Sequence, residues 1–230
     1  MKKYFLNVVC LCLCAGFVLV GCDKDDDDPE TSVVAGNKIT ATVSAPNVAK
    51  VKAMVYYEGE GDVGGESIIA ECDYSNGGFT LTLPENVDAK YLETLSNYEF
   101  EDGISISDKN VKTCSIDIYG YNAAGAEAGT FWYESKTCEA GFMYVDRNVT
   151  VTGSHTYSDG EKEVYNMSLV KGWNIVYMTE TEKDDVYTYT ATTSNPGGLS
   201  WVFYSRDDDE SYQGAARFAA SKKLMLRGLK

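Results

Sequence analysis

His155 is the chain's single histidine, set between Ser154 and Thr156. That excludes any multi-histidine metal site and leaves one general base of the usual kind. No Gly-x-Ser-x-Gly elbow accompanies it, and a hydrogen-bonded or solvated histidine is the ordinary occupant of a strand edge. Glycoside hydrolysis needs two carboxyls roughly 5 to 10 Å apart across a cleft. The 35 Asp and Glu residues supply many pairs and single out none; Glu58, Glu60 and Asp62, like residues 207–210, read as solvated loops. The run Asp23-Lys24-Asp25-Asp26-Asp27-Asp28 lacks the turn glycine and terminal Glu of a calcium loop. No catalytic residue, metal or cofactor is therefore assigned, and the chain is read as a non-enzyme, with a hydrolase as the remotest alternative. The remaining chemistry is aromatic. Trp132, Trp173, Trp201 and Tyr204 fall on both faces of their strands, so some of these rings point away from a core and are available to stack on a ligand such as a sugar. The other use of such rings is to fill the contact between two packed units.

Seven cysteines divide by position. Cys10, Cys12 and Cys14 lie in the leading apolar stretch and Cys22 closes it, which leaves Cys72, Cys114 and Cys138 in the body. Three is odd, so at least one thiol is unpaired. A hairpin from Lys112 to Cys138, turning near Ala124 to Glu127, places Cys114 roughly opposite Cys138 and permits a disulfide in an exported protein. Alternation gives a second arrangement: Cys114 shares a face with Ile116 and Ile118, and Cys72 with Ile68 and Ala70, as buried thiols do.

The elements that would position these groups begin after residue 21. Residues 1–21 carry Lys2 and Lys3, an apolar stretch interrupted by Asn7, and a small residue before the break, the three parts of a removable export signal. The stretch is shorter than the ~20 residues a spanning helix needs. Leu19-Val20-Gly21-Cys22 resembles the bacterial lipobox, although that family usually has Ala or Ser where Val20 stands. The resemblance implies that Cys22 becomes the first mature residue and carries diacylglycerol. Several acyl chains at ~0.8 kcal/mol per buried CH₂ anchor a protein to a membrane it does not span. The acidic run cannot pack and reads as a solvated tether. Its position directly after the cysteine also resembles the surface-export signal of Bacteroidota lipoproteins, which implies the outer membrane and its exterior leaflet. Asp23 to Gly36 is fourteen residues, about 46 Å fully extended and about 20 Å as a coil, so the body stands clear of the headgroups.

Removal of the leader leaves 18 Lys and Arg against 35 Asp and Glu, a formal charge of −17. That balance excludes a nucleic-acid partner, which requires a basic face. With 17 tyrosines, many Thr and Val, and four prolines, the composition favours strands. Period-two alternation runs through Ile39, Ala41 and Val43; Val51, Ala53 and Val55; Ile68, Ala70 and Cys72; and Phe79, Leu81 and Leu83, predicting four strands before residue 84. Asp88 would cap one short helix carrying Tyr91, Leu92 and Leu95. Strands return with Cys114, Ile116 and Ile118, then Phe131 and Tyr133, then Phe142 to Val145. Beyond them come Val149 and Val151; Tyr165, Met167 and Leu169; Trp173, Ile175 and Tyr177; Tyr187, Tyr189 and Ala191; and Trp201 and Phe203, with turn signals between. The expected fold is all-β, an antiparallel β-sandwich of two packed units. The expected domains are a removed signal (1–21), a lipidated acidic tether (22–36), a β-sandwich unit (37–146), and an antiparallel β meander (147–230) ending in a basic tail with Arg217, Lys222, Lys223, Arg227 and Lys230.

The stretch from Ile68 to Pro84, with its Ser75-Asn76-Gly77-Gly78-Phe79 turn, resembles the strand–turn–strand of transthyretin-like and carboxypeptidase regulatory-like sandwiches. Leu169-Val170-Lys171-Gly172-Trp173-Asn174 and Gly198-Leu199-Ser200-Trp201 resemble segments of Bacteroidota surface lipoproteins, a resemblance that brings no functional residues with it. The expectation is a palmitate-bearing lipoprotein displayed at the cell surface. It would serve in binding, adhesion or envelope assembly, with an envelope protein or a glycan as partner. A glycan-binding accessory of a polysaccharide-uptake system is the alternative.

Overall fold

The computed structural model describes residues 36–57, 65–95, 102–184 and 186–207. The export segment, Cys22 and its acidic run, Glu58, Glu60 and Asp62, residues 208–210 and the basic tail lie outside the described residues. The strands among the described residues are β1 (Lys38–Thr42), β2 (Lys50–Tyr57), β3 (Gly65–Asp73), β4 (Gly78–Thr82), β5 (Glu93–Thr94), β6 (Ile104–Ile106) and β7 (Lys112–Tyr121). They continue as β8 (Glu127–Glu134), β9 (Cys138–Val145), β10 (Val149–Thr156), β11 (Lys162–Leu169), β12 (Gly172–Lys183), β13 (Val186–Thr192) and β14 (Ser200–Ser205). No helix among the described residues is long and apolar enough to cross a membrane.

Alternation becomes strand wherever one face meets a core. β1 and β4 pair antiparallel, Ile39 opposite Leu81, burying Ile39, Ala41, Phe79 and Leu81 while Thr40 and Thr80 face water. This two-stranded layer packs on a larger sheet. Asn76 and Gly77, both at positive φ, turn the chain from β3 in the large sheet to β4 in the small one. The four strands expected before residue 84 thus form two layers of an all-β sandwich.

β7 divides its edge between two partners. Ile118 to Tyr121 lies beside β8, and Thr113 to Ile116 lies beside β9. The other edge of β9 takes β12. One face of β9 and β12 feeds a cluster with Ile39, Leu81, Val51, Val55, Ile116 and Phe131, joined by Trp173 and Trp201. Their reverse face sends Val145 and Val176 into a second cluster with Val149, Val151, Met167 and Leu169. Each fully buried aliphatic side chain contributes ~1.5–3 kcal/mol, so the unbroken apolar run Phe142-Met143-Tyr144-Val145 is stable where both of its faces are covered.

The boundary expected at residue 146 therefore does not separate two units. Both clusters draw on residues from either side of it, and the described residues all fall within one compact unit. The second half is not an all-antiparallel meander either. β10–β11 and β12–β13 are hairpins, but β13 inserts between β12 and β11 and runs parallel to β11. The short helix reduces to one 3-10 turn, Ala89–Tyr91. Asp88 does cap it, accepting from the Lys90 N–H at 3.1 Å, and Leu92 then extends the chain into β5, which pairs with β7.

The Cys114–Cys138 disulfide does not form. β8 ends at Glu134 and the chain turns back, so Cys138 opens β9 opposite Thr179, whereas Cys114 lies opposite Tyr144. The six steps from Cys138 to Tyr144 cover ~20 Å of strand, against a Cα separation of roughly 4.4–6.8 Å across a disulfide. Cys72, Cys114 and Cys138 are all free. Cys114 and Cys138 are buried, and burial is the main cause that pushes the thiols up to about 11 at Cys72, about 12 at Cys114 and about 11 at Cys138. They behave as small apolar side chains.

Candidate binding face

The strands β2, β7, β8 and β14 turn one parity to the first core: Val51, Ala53 and Val55; Ile116 and Ile118; Phe131 and Tyr133; Trp201 and Phe203. The opposite parity makes the other face with Lys52 and Tyr56; Asp117, Tyr119 and Tyr121; Trp132 and Glu134; Val202 and Tyr204, with Met54 and Thr130 buried beneath these side chains. Register sets a row across the sheet, Tyr204 opposite Thr130, Thr130 opposite Tyr119, and Tyr119 opposite Lys52. At ~4.8 Å between strands, four strands make a platform ~14 Å wide.

Four of the five outward rings are held at their polar tips, and the fifth by a cation over its ring. Trp132 Nε1 donates to Thr130 Oγ1 at 3.1 Å, which draws the indole back along its own strand. Tyr204 stands at 86° to that indole with 6.4 Å between centroids, and its hydroxyl donates to Glu134. The hydroxyls of Tyr56 and Tyr119 meet at 2.7 Å, and Lys52 Nζ lies 4.1 Å from the centre of the Tyr121 ring. Tyr56 is 47% exposed; the other four rings are half-buried. Burial raises the Glu134 carboxyl above the usual range, with the Tyr204 hydrogen bond opposing; burial first, and then Glu134, pushes the Tyr204 phenol up.

Of the four rings read from the sequence as ligand-stacking residues, the structure brings Trp132 and Tyr204 together on this face. Trp173 and Trp201 are core residues, 8% and 7% exposed. Trp173 Nε1 donates to the Pro84 carbonyl at 2.9 Å, and its ring meets Tyr144; Trp201 stacks on Phe142. Tyr56, Tyr119 and Tyr121 are additions to the site. The signal for them lay in their parity, opposite to that of Val51, Ala53 and Val55 and of Ile116 and Ile118.

The remaining polar groups serve the fold. His155 Nδ1 lies 3.1 Å from the Asp102 carbonyl oxygen, and the ring stands opposite Glu163, whose buried carboxylate accepts the Tyr165 hydroxyl at 3.2 Å. Glu134 and Glu139 oppose each other in the β8–β9 hairpin. Neither lines the open 790 Å³ groove beside Trp173. The groove's own amides are committed to backbone groups: Asn174 to Val170 and Gly172, Asn37 to Leu83 across the chain, and Asn195 to Gly197. Among the described residues no cluster of His, Cys, Asp or Glu is arranged to hold a metal ion. Comparison with known protein families, with curated proteins and with solved structures gave no match for this chain.

Proposed function

We propose that this chain is a lipid-anchored outer-membrane protein, displayed at the cell surface, whose role is non-catalytic binding, in adhesion or in assembly of the envelope. The observation that carries the binding role is the outward face of β2, β7, β8 and β14. It bears five rings, all fixed by polar contacts, and fixing a side chain beforehand saves ~0.5–1.5 kcal/mol of ordering per ring when a partner docks. A photo-crosslinking residue in place of Tyr56 is expected to yield a covalent adduct on intact cells that the same residue in place of Val170, 58% exposed elsewhere on the body, does not. Equal yields at the two positions would remove the face from consideration.

The anchoring half of the reading rests on Leu19-Val20-Gly21-Cys22 and the acidic run that follows. Labelled palmitate should be incorporated into the wild type and not into Cys22→Ser, and protease added to intact cells should degrade the body. Label retained by Cys22→Ser refutes acylation at this thiol; a body that resists protease until the cells are lysed refutes display. A hydrolytic reading of Glu134 and Glu139 is weaker, because Glu134 is already bound by Tyr204 within a sheet face.

A further inference from the structure

We infer that the ligand of this face is an uncharged polysaccharide, an inference that rests on the binding role proposed for the same residues. The rings carry the first step. Trp132 and Tyr204 meet at 86° with 6.4 Å between centroids, so they form a right-angled corner. The negative face of one ring and the edge of the other are presented to whatever enters. A pyranose suits such a corner: its axial C–H bonds form a weakly positive apolar face that lies on a ring, while its equatorial hydroxyls point outward to hydrogen-bonding groups.

Those groups are present beside the corner. The Glu134 carboxyl, raised in pKa by burial and bound by the Tyr204 hydroxyl, still has lone pairs to accept from a sugar hydroxyl. Across the sheet, Tyr119 and Tyr56 extend the aromatic surface, joined through their hydroxyls at 2.7 Å. Tyr204 and Tyr119 both flank Thr130 in register, which puts them ~10 Å apart at the spacing of strands. That span accommodates a chain of sugars rather than one. The surface is therefore built for a polymer crossing the strands from β14 towards β2.

Charge selects among polymers. The cations at the margins of the face are engaged: Lys50 with Asp73 at 2.7 Å, Arg206 with Glu127 at 3.5 Å, and Lys52 over Tyr121. The face's own strands also carry the acids Asp117, Glu127 and Glu134, Glu66 and Glu71 stand opposite Tyr56 and Lys52 on the adjoining β3, and the mature chain has a formal charge of −17. An anionic polysaccharide would meet repulsion here without a cation to receive it; an uncharged one would not.

The test uses the full-length lipidated chain in detergent solution, titrated with soluble mannan, xyloglucan and mixed-linkage β-glucan, and with polygalacturonate as the anionic probe. Binding is read by tryptophan fluorescence and by retardation in polysaccharide-containing gels. At least one neutral polymer should bind and polygalacturonate should not. Trp132→Ala is expected to weaken that binding at least tenfold. Tyr56→Ala, at an exposed ring where folding is not at stake, should weaken it several-fold, with the melting temperature of each variant measured alongside. Binding of none of the neutral polymers, equal binding of polygalacturonate, or unchanged affinity in both variants overturns the inference. The two levels separate through the crosslinking experiment. An adduct at Tyr56 with no neutral polymer bound removes the sugar and keeps the face, whereas loss of both removes the face itself.

Discussion

Trp201→Ala is expected to lower the melting temperature by about 6–20 °C and to leave much of the chain unfolded at 37 °C. The indole is 7% exposed and touches three strands from both layers of the first core. It stacks on Phe142 of β9 at 5.9 Å and 8°, meets Phe79 of β4 edge-on at 5.6 Å, and lies 5.3 Å from Tyr133 of β8. Truncating a buried Trp costs ~3–5 kcal/mol, a large share of a total stability of ~5–15 kcal/mol. In a domain of this size each kcal/mol is worth roughly 2–4 °C. Trp201→Phe is the informative companion. Trp201 Nε1 is buried without a hydrogen-bond acceptor among the described residues, so phenylalanine forfeits volume and ring contact but no hydrogen bond. It also removes a donor whose burial is unfavourable. Its cost should be ~1–2 kcal/mol, below that of removing the whole ring because most of the buried volume is kept. Thermal melts followed by circular dichroism check both; an alanine variant melting within 2 °C of wild type would show that Trp201 does not tie these strands together.

The contrast between Trp201 and Trp132 shows what could be read in the sequence and what could not. Alternation in Ile39, Ala41 and Val43 or in Cys114, Ile116 and Ile118 fixes which residues share a face, because a strand has a period of two. It therefore gave the all-β class and most inward residues correctly. It does not fix which face meets a core when both parities carry large rings, as at Phe131 and Trp132. That choice depends on the partner layer, here β1 and β4 laid over Phe131. Parity also fails where a residue is inserted. The β2–β3 register jumps from Ala53 opposite Ala70 to Met54 opposite Ile68, leaving Ile69 as the extra residue of a bulge. Ile68 is consequently 46% exposed, although simple alternation groups it with Ala70 and Cys72. Partner choice is likewise non-local. Nothing in Tyr187, Tyr189 and Ala191 announces that β13 will run parallel to β11, and nothing near Cys138 announces that the chain has already turned back. The outward rings were legible as aromatic supply; their assembly into one face required the register of four strands separated by up to 150 residues.

That register depends on Gly129, and Gly129→Ala is expected to dislodge β14 as a unit. Gly129 lies opposite Gly120 on one side and Ser205 on the other. A Cβ on Gly129 would collide with the Tyr204 carbonyl oxygen and stand 2.8 Å from Cζ of Phe203. One on Gly120 would stand 3.0 Å from Cε2 of the same ring. The facing glycines thus leave the dent into which Phe203 settles, and an added methyl on Gly129 must push backbone, which does not yield as a side-chain tip does. Overpacking costs ~1–3 kcal/mol, occasionally more. β14 pairs with β8 and with no other described strand, so the displacement releases Trp201 from the core and Tyr204 from its corner with Trp132. The expected result is a fall in melting temperature of at least 6 °C, faster amide exchange over residues 200–205, and loss of the Tyr56-dependent crosslink or of polysaccharide binding through Trp132. Gly125→Ala is the control: Gly125 has positive φ but nothing within 4 Å of an added Cβ, so it bears backbone strain of ~1 kcal/mol or slightly more and leaves binding intact. Wild-type exchange rates over β14 in Gly129→Ala would break the link between this glycine pair and the face, and would require another feature to hold Tyr204 beside Trp132.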